Sequence, residues 1–169
     1  MSNNILKLGF LFFILILIQI SILNNINLFG YAQPMVYILF IFVYPITKNR
    51  ILFLFLSFLL GLSIDFFSNS GGLNAAATLF IAYYRMPILK LTTGKTEFDP
   101  TLFNLKSLTL NKRISYLFIM VLIHHYIVFQ LAYFKLSAFK NIFINTISSS
   151  IFTCILLLFY ISFFIHKQR

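Results

Sequence analysis

Six apolar stretches constrain this chain more than any single residue does. They run over about 6–23, 31–47, 51–67, 73–90, 114–134 and 142–165. Each approaches the ~20 residues that a helix needs to cross a hydrocarbon core of ~30 Å. Backbone N–H and C=O groups find no water there and must be satisfied internally, which predicts helical spans. The second, third and fourth stretches are short, so snorkelling ends, a thinned bilayer or half-buried turns are expected. Five spans with one re-entrant segment is the alternative to six. Only 9% of the residues are charged and 60% are hydrophobic, against roughly 25% charged in a soluble domain. The 169 residues leave room for a single polytopic domain, an all-α bundle of about six transmembrane helices, and for no soluble domain. Pro34 suits a helix start and Pro87 a position near a helix end.

Charge then orients the bundle. If the N-terminus is cytoplasmic, the inner side collects Lys7, Lys48, Arg50, Lys90, Lys95, Lys106, Lys112, Arg113, Lys167 and Arg169, while the outer side holds only Lys135 and Lys140. Arg85 lies within the fourth stretch. Such a bias across short loops places both termini in the cytoplasm. The formal charge of +10 is thereby a matter of topology, and nucleic-acid binding is not needed to explain it. The first stretch is read as an uncleaved helix, because Ser21-Ile22-Leu23-Asn24 offers no small-residue cleavage site. Cys154 is the only cysteine; an intrachain disulfide is impossible, and a packed, inert thiol is expected.

Absent motifs narrow the function. The chain has no Walker loop, no zinc-type Cys/His spacing and no nucleophile elbow. Its three acids are Asp65, Glu97 and Asp99. The topology puts the first outside and the other two inside, so they cannot form one acid–base pair. Neither an enzyme nor a cofactor or metal site is expected. The loop over 91–113 holds Glu97 and Asp99 with Lys95, Lys106, Lys112 and Arg113, punctuated by Gly94 and Pro100. It reads as a solvated connector, or alternatively as a docking segment. His124-His125 lies about ten residues into the fifth stretch. Adjacent helical residues point about 100° apart, which favours two hydrogen-bonded core histidines over a metal clasp.

Small residues recur at helical spacing. Ser57, Gly61 and Asp65 form one stripe, and Ala75, Thr78 and Ala82 another; Ser149 and Thr153 lie four apart beside Ser148, Ser150 and Cys154. Such stripes let helix backbones approach closely, within the bundle or against a partner's helix. A carboxylate near hydrocarbon needs a reason. Asp65 is expected to cap the next helix or bind free amides of the Ser68-Asn69-Ser70-Gly71-Gly72 turn. The alternative is a charge presented to an extracytoplasmic partner. Arg85 is a poor partner for it, near the opposite end of the adjacent span.

Taken in order, several of these residues resemble the MreD family of rod shape-determining membrane proteins. The resemblance begins with Gln19 and the Leu28-Phe29-Gly30 loop leading to Pro34. It continues through Gly61-Leu62-x-x-Asp65 with its following glycines, Ala75-Ala76-Ala77, His124-His125 and Ser150-x-x-Thr153. The family commonly places an acid directly after the loop proline, where this chain has Met35. The resemblance implies a fold similar to the S-components of energy-coupling-factor transporters. It also implies a non-enzymatic subunit of the cell-elongation machinery in the bacterial cytoplasmic membrane. The implied partners are the lipid bilayer and a single-span MreC-like protein. Indirect partners would be an actin-like MreB, a transpeptidase and a polymerising glycosyltransferase of wall synthesis. On this reading the stripes of the third and fourth helices, with the Gly71-Gly72 turn, shape a groove for the partner helix. Gly61→Leu should then weaken partner capture without unfolding the bundle. The competing reading is a vitamin- or metal-uptake S-component, against which stands the lack of a convergent polar cluster in the sequence.

Overall fold

The computed structural model describes residues 2–27, 30–46, 49–94, 105, 108–134 and 138–164. Glu97 and Asp99, Lys48, Lys95, Lys106, Lys135, Lys167, Arg169 and Leu28-Phe29 lie outside the described residues. Among those described are six α-helices and no strand: α1 (Ser2–Ser21), α2 (Leu39–Val43), α3 (Arg50–Ser68), α4 (Leu73–Thr93), α5 (Leu110–Tyr133) and α6 (Phe139–Phe164). Four stretches are long and apolar enough to cross a membrane: Leu6–Asn25, Arg50–Ser68, Leu110–Tyr133 and Phe139–Phe163. α4 is as long as these at 21 residues, but Asn74, Thr78, Arg85, Lys90, Thr92 and Thr93 dilute its apolar character.

Local chemistry accounts for the helix ends. Asn49 caps α3 by accepting from the Leu52 amide at 3.1 Å, as a short polar side chain does at a helix start. Asn69 ends α3 in the left-handed region at φ 52°, which an asparagine tolerates better than most residues. Gly94, at φ 69°, ends α4 with its amide on the Lys90 carbonyl at 2.9 Å, a left-handed cap that favours glycine. Lys112 then reaches from α5 to donate to the Thr93 carbonyl at 2.7 Å, placing a cation where free carbonyls cluster.

The second apolar stretch is not the continuous helix that its composition predicts. From Ala32 to Met35 the chain is irregular, Val36–Ile38 is a 3-10 turn, and α2 has only five residues. Prolines bracket the segment. Pro34 disfavours helix before it, and Pro45 follows Tyr44, whose ψ of 131° ends α2. This segment is nevertheless the most buried among the described residues, with every residue from Tyr37 to Phe42 at most 2% exposed. It threads the centre. Phe40 meets Phe12 of α1, Phe42 meets Tyr116 of α5, and Tyr44 meets Phe53 of α3. An apolar run without amphipathic pattern belongs in such a place. Around it α3, α4, α5 and α6 pack each against the next, and α1 lies against α3 and the 3-10 turn.

Candidate functional site

Non-helical backbone inside an apolar bundle needs hydrogen-bond partners, since an unsatisfied group there costs several kcal/mol. Three side chains from the first and last helices supply them. The Gln19 amide of α1 donates to the Pro34 carbonyl at 2.9 Å and accepts from the Val36 and Tyr37 amides at 2.9 and 3.4 Å. On α6, Ser149 accepts from the Gln33 amide at 2.9 Å and Thr153 from the Met35 amide at 3.1 Å. Ser149 and Thr153 of the small polar stripe on α6 therefore hold backbone, while the buried Ser150 hydroxyl beside them has no partner.

The two histidines take different partners. His125 Nδ1 lies 2.9 Å from the Val121 carbonyl, and its Nε2 lies 3.2 Å from the Thr153 hydroxyl. A carbonyl only accepts, so the network assigns the proton to Nδ1 and makes Nε2 the acceptor for Thr153. His125 thus orients the hydroxyl that holds Met35. His124 Nε2 lies 3.1 Å from Tyr37 Oη. Tyr37 donates its single proton to Asn74 Oδ1 at 2.8 Å, so His124 donates from Nε2. Both rings are fully buried and 75° apart in plane. Among the described residues no three His, Cys, Asp or Glu side chains come close enough to share a metal ion.

Asp65 anchors the other side of this network. Only 4% exposed, its Oδ1 accepts from the Ser70 hydroxyl at 2.5 Å, the Asn74 amide at 3.0 Å and Asn74 Nδ2 at 2.9 Å. Oδ2 accepts from the Ala75 amide at 2.7 Å. The position that caps α4 is Gly72, at φ 94° and without a side chain. A carboxylate from the preceding helix therefore does the capping, and it also meets the positive end of the helix dipole. This is the turn-stabilising role expected for Asp65. Asn74 joins it to Tyr37 and so to His124, while Thr78 donates to the Asn74 carbonyl at 2.5 Å.

The small stripes are consumed by this packing. A Cβ at Gly61 would lie 2.6 Å from Ala75 Cα and 2.6 Å from the Asn74 carbonyl oxygen. Ser57 and Thr78 are fully buried, and Ala75 and Ala82 are each 3% exposed. Ser57 bonds back to the Phe53 carbonyl at 2.8 Å. The expected groove on the third and fourth helices is thus not open; it is filled by the α3–α4 contact itself. Nor does Gly61→Leu leave the bundle intact, since any side chain there meets backbone. Gly71, at φ 66°, is exposed and Gly72 half-buried; they form the turn and line no groove.

Beside the network a cavity of about 480 Å³ is lined by Gln19, Asn24, Gln33, Tyr37, Ser70 and Asn74, with Phe67 and Phe129 among its apolar walls. Asn24 at its rim donates to the Ser68 hydroxyl at 2.7 Å. A convergent polar cluster therefore exists, contrary to the sequence reading. Its members are four amides, a serine and a tyrosine scattered over helices and connecting segments, and no spacing marks them. The one usable signal is a polar residue inside an apolar run, which singles out Gln19.

Four long apolar helices around a threaded, side-chain-satisfied segment define an all-helical membrane protein. Neither protein-family models nor curated proteins nor solved structures yield a match to this chain.

Proposed function

We propose that this chain is a non-enzymatic, multi-pass subunit of the bacterial cell-elongation machinery, an MreD-like protein in the cytoplasmic membrane with both termini inside. Its role is to hold the transmembrane helix of a single-span MreC-like partner, and through it the actin-like and wall-synthesising components. One observation carries the reading. Gln19, Pro34, Asp65, His124, His125 and Thr153, six of the residues on which the family resemblance rests, are spread over most of the sequence, yet each belongs to the hydrogen-bonded framework around the threaded segment. Motifs that converge on one framework support likeness of a whole fold rather than of isolated positions.

With the small stripes used internally, the partner helix is assigned to the face of α1. That helix is the least covered of the four long ones, with 17% of its span buried against 44% for α5. The brevity of α2 leaves an apolar groove of about 630 Å³ beside it, lined by Phe10, Leu11, Ile14, Val36, Leu39 and Val43. Affinity purification of the tagged protein from its native membrane in mild detergent, with mass spectrometry of what accompanies it, tests the reading. Recovery of an MreC-like protein is expected. Ile14→Trp, which fills the groove from a half-buried position, should cut that recovery about tenfold while the protein stays monodisperse. Recovery of a transporter ATPase instead would overturn the reading.

The polar cavity favours a second reading. Its volume lies within the roughly 300–1,000 Å³ of small-molecule sites, and apolar walls with a few polar groups are the usual lining. This is the S-component alternative, in which a small solute binds there and an ATPase pair co-purifies.

A further inference from the structure

Pro87 lies inside α4, and proline has no N–H to give the carbonyl four residues earlier. That carbonyl belongs to Tyr83, and it is Arg50, at the start of α3, that donates to it, from Nη2 at 3.0 Å. The same guanidinium lies 4.5 Å from the centre of the Tyr83 ring. Two residues along α4, Arg85 is only 4% exposed. It donates to the Tyr44 carbonyl at 2.6 Å and lies 5.1 Å from the centre of the Phe53 ring, but its buried Nε has no partner.

The depth of this pair follows from the α3–α4 packing. Gly61 sits against Ala75, so moving ten residues along the antiparallel helices brings Ile51 level with Arg85. Both guanidiniums therefore lie at the level of the first turn of α3, the start of a helix long and apolar enough to cross a membrane. Asp65, the one acid among the described residues, is fourteen residues further along α3, about 21 Å away at 1.5 Å per residue. A buried cation with an unfilled donor and no acid near it among the described residues is costly unless an anion reaches it. Between the two arginines a cavity of about 100 Å³ is walled by Pro45, Ile46, Phe53 and Met86.

We infer that this cleft binds the phosphate of an anionic phospholipid. Guanidinium donors match phosphate oxygens in geometry and charge, and basic pockets between transmembrane helices on the cytoplasmic side suit acidic headgroups. The apolar walls continue into the bilayer, where the acyl chains lie. The site thus recognises a phosphodiester attached to a lipid, not free phosphate.

Native mass spectrometry of the full chain in detergent, with equal dioleoyl phosphatidylglycerol and dioleoyl phosphatidylcholine, tests this. Phosphatidylglycerol should be retained over phosphatidylcholine by about fivefold or more. Arg50→Gln should bring the two to parity, because the amide can still donate to Tyr83 while the charge is gone. Met86→Trp, which fills the cleft, should do the same. Lys90→Gln removes a like charge from the exposed end of the same helix and should leave the preference intact. Equal retention of both lipids by the wild type overturns the proposal. So does an equal loss in Lys90→Gln, which would mark general attraction to an anionic surface. Displacement of phosphatidylglycerol by inorganic phosphate at the same concentration would make it a free-phosphate site. Unchanged lipid retention in both Arg50→Gln and Met86→Trp would assign the arginines to another occupant.

Discussion

Two ends of the α3–α4 pair each bury an ionisable side chain, and they treat it in opposite ways. At one end Asp65 accepts four hydrogen bonds, two of them from the backbone of α4. At the other, Arg85 is as deeply buried but keeps a donor without a partner. A carboxylate can be satisfied from within because a helix start offers several amides in a small space. A guanidinium, with five donors in a rigid fork, needs more acceptors than neighbouring carbonyls supply. The first end is a closed structural joint. The second keeps a donor that no described residue fills.

The largest effect should come from the joint. Gly61→Leu drives a side chain into the Ala75 backbone and should destabilise the protein by about 3 kcal/mol or more, seen as loss of the monodisperse peak in detergent chromatography. A Gly61→Leu protein of wild-type thermal stability would show that the two helices do not meet as closely as their backbones indicate. Asp65→Ala leaves the Asn74 and Ala75 amides without an acceptor and should cost about 2–4 kcal/mol. Asp65→Asn should be nearly as harmful, because an amide NH2 would face donors; full rescue by asparagine would mean that shape, not acceptor capacity, matters there. Thr153→Val frees the Met35 amide and should cost about 1–2 kcal/mol. Hydrogen exchange at Met35 should rise, and an unchanged rate would remove Thr153 from the framework. Arg50→Gln should be the mildest, within about 0.5 kcal/mol in detergent as an exposed substitution. Its effect should appear only when anionic lipid is present, and a large loss in plain detergent would make the Arg50 end a joint as well.

The chain itself made much of this legible. The apolar stretches after the second gave helix ends within a few residues of those observed, because an apolar run in this chain ends where the chain leaves the bundle, and local caps at Asn49, Asn69 and Gly94 fix the final residues. The capping role of Asp65 was also readable, since a carboxylate seven residues before a glycine-capped helix start has few other uses near hydrocarbon. The second stretch was not legible as an irregular segment. Its composition matches a spanning helix, and the residues that satisfy its backbone, Gln19, Ser149 and Thr153, lie up to 118 positions away in the sequence. The stripes of small residues were visible, but their partner was not. Spacing shows that a face permits close approach without showing what approaches it.

Hydrophobic length is a property of the chain alone, so the sequence determined the membrane class and the long helices with their principal ends. Which polar groups pair is decided by distances between helices. Only the tertiary structure could therefore turn Gln19, Tyr37, Asn74, His124 and His125 into one framework around a threaded segment. It alone filled the expected α3–α4 groove and left Arg85 with a donor to spare. The physical reason is that an apolar surrounding penalises a buried polar group without a partner, and the partners that folding supplies come from elsewhere in the chain.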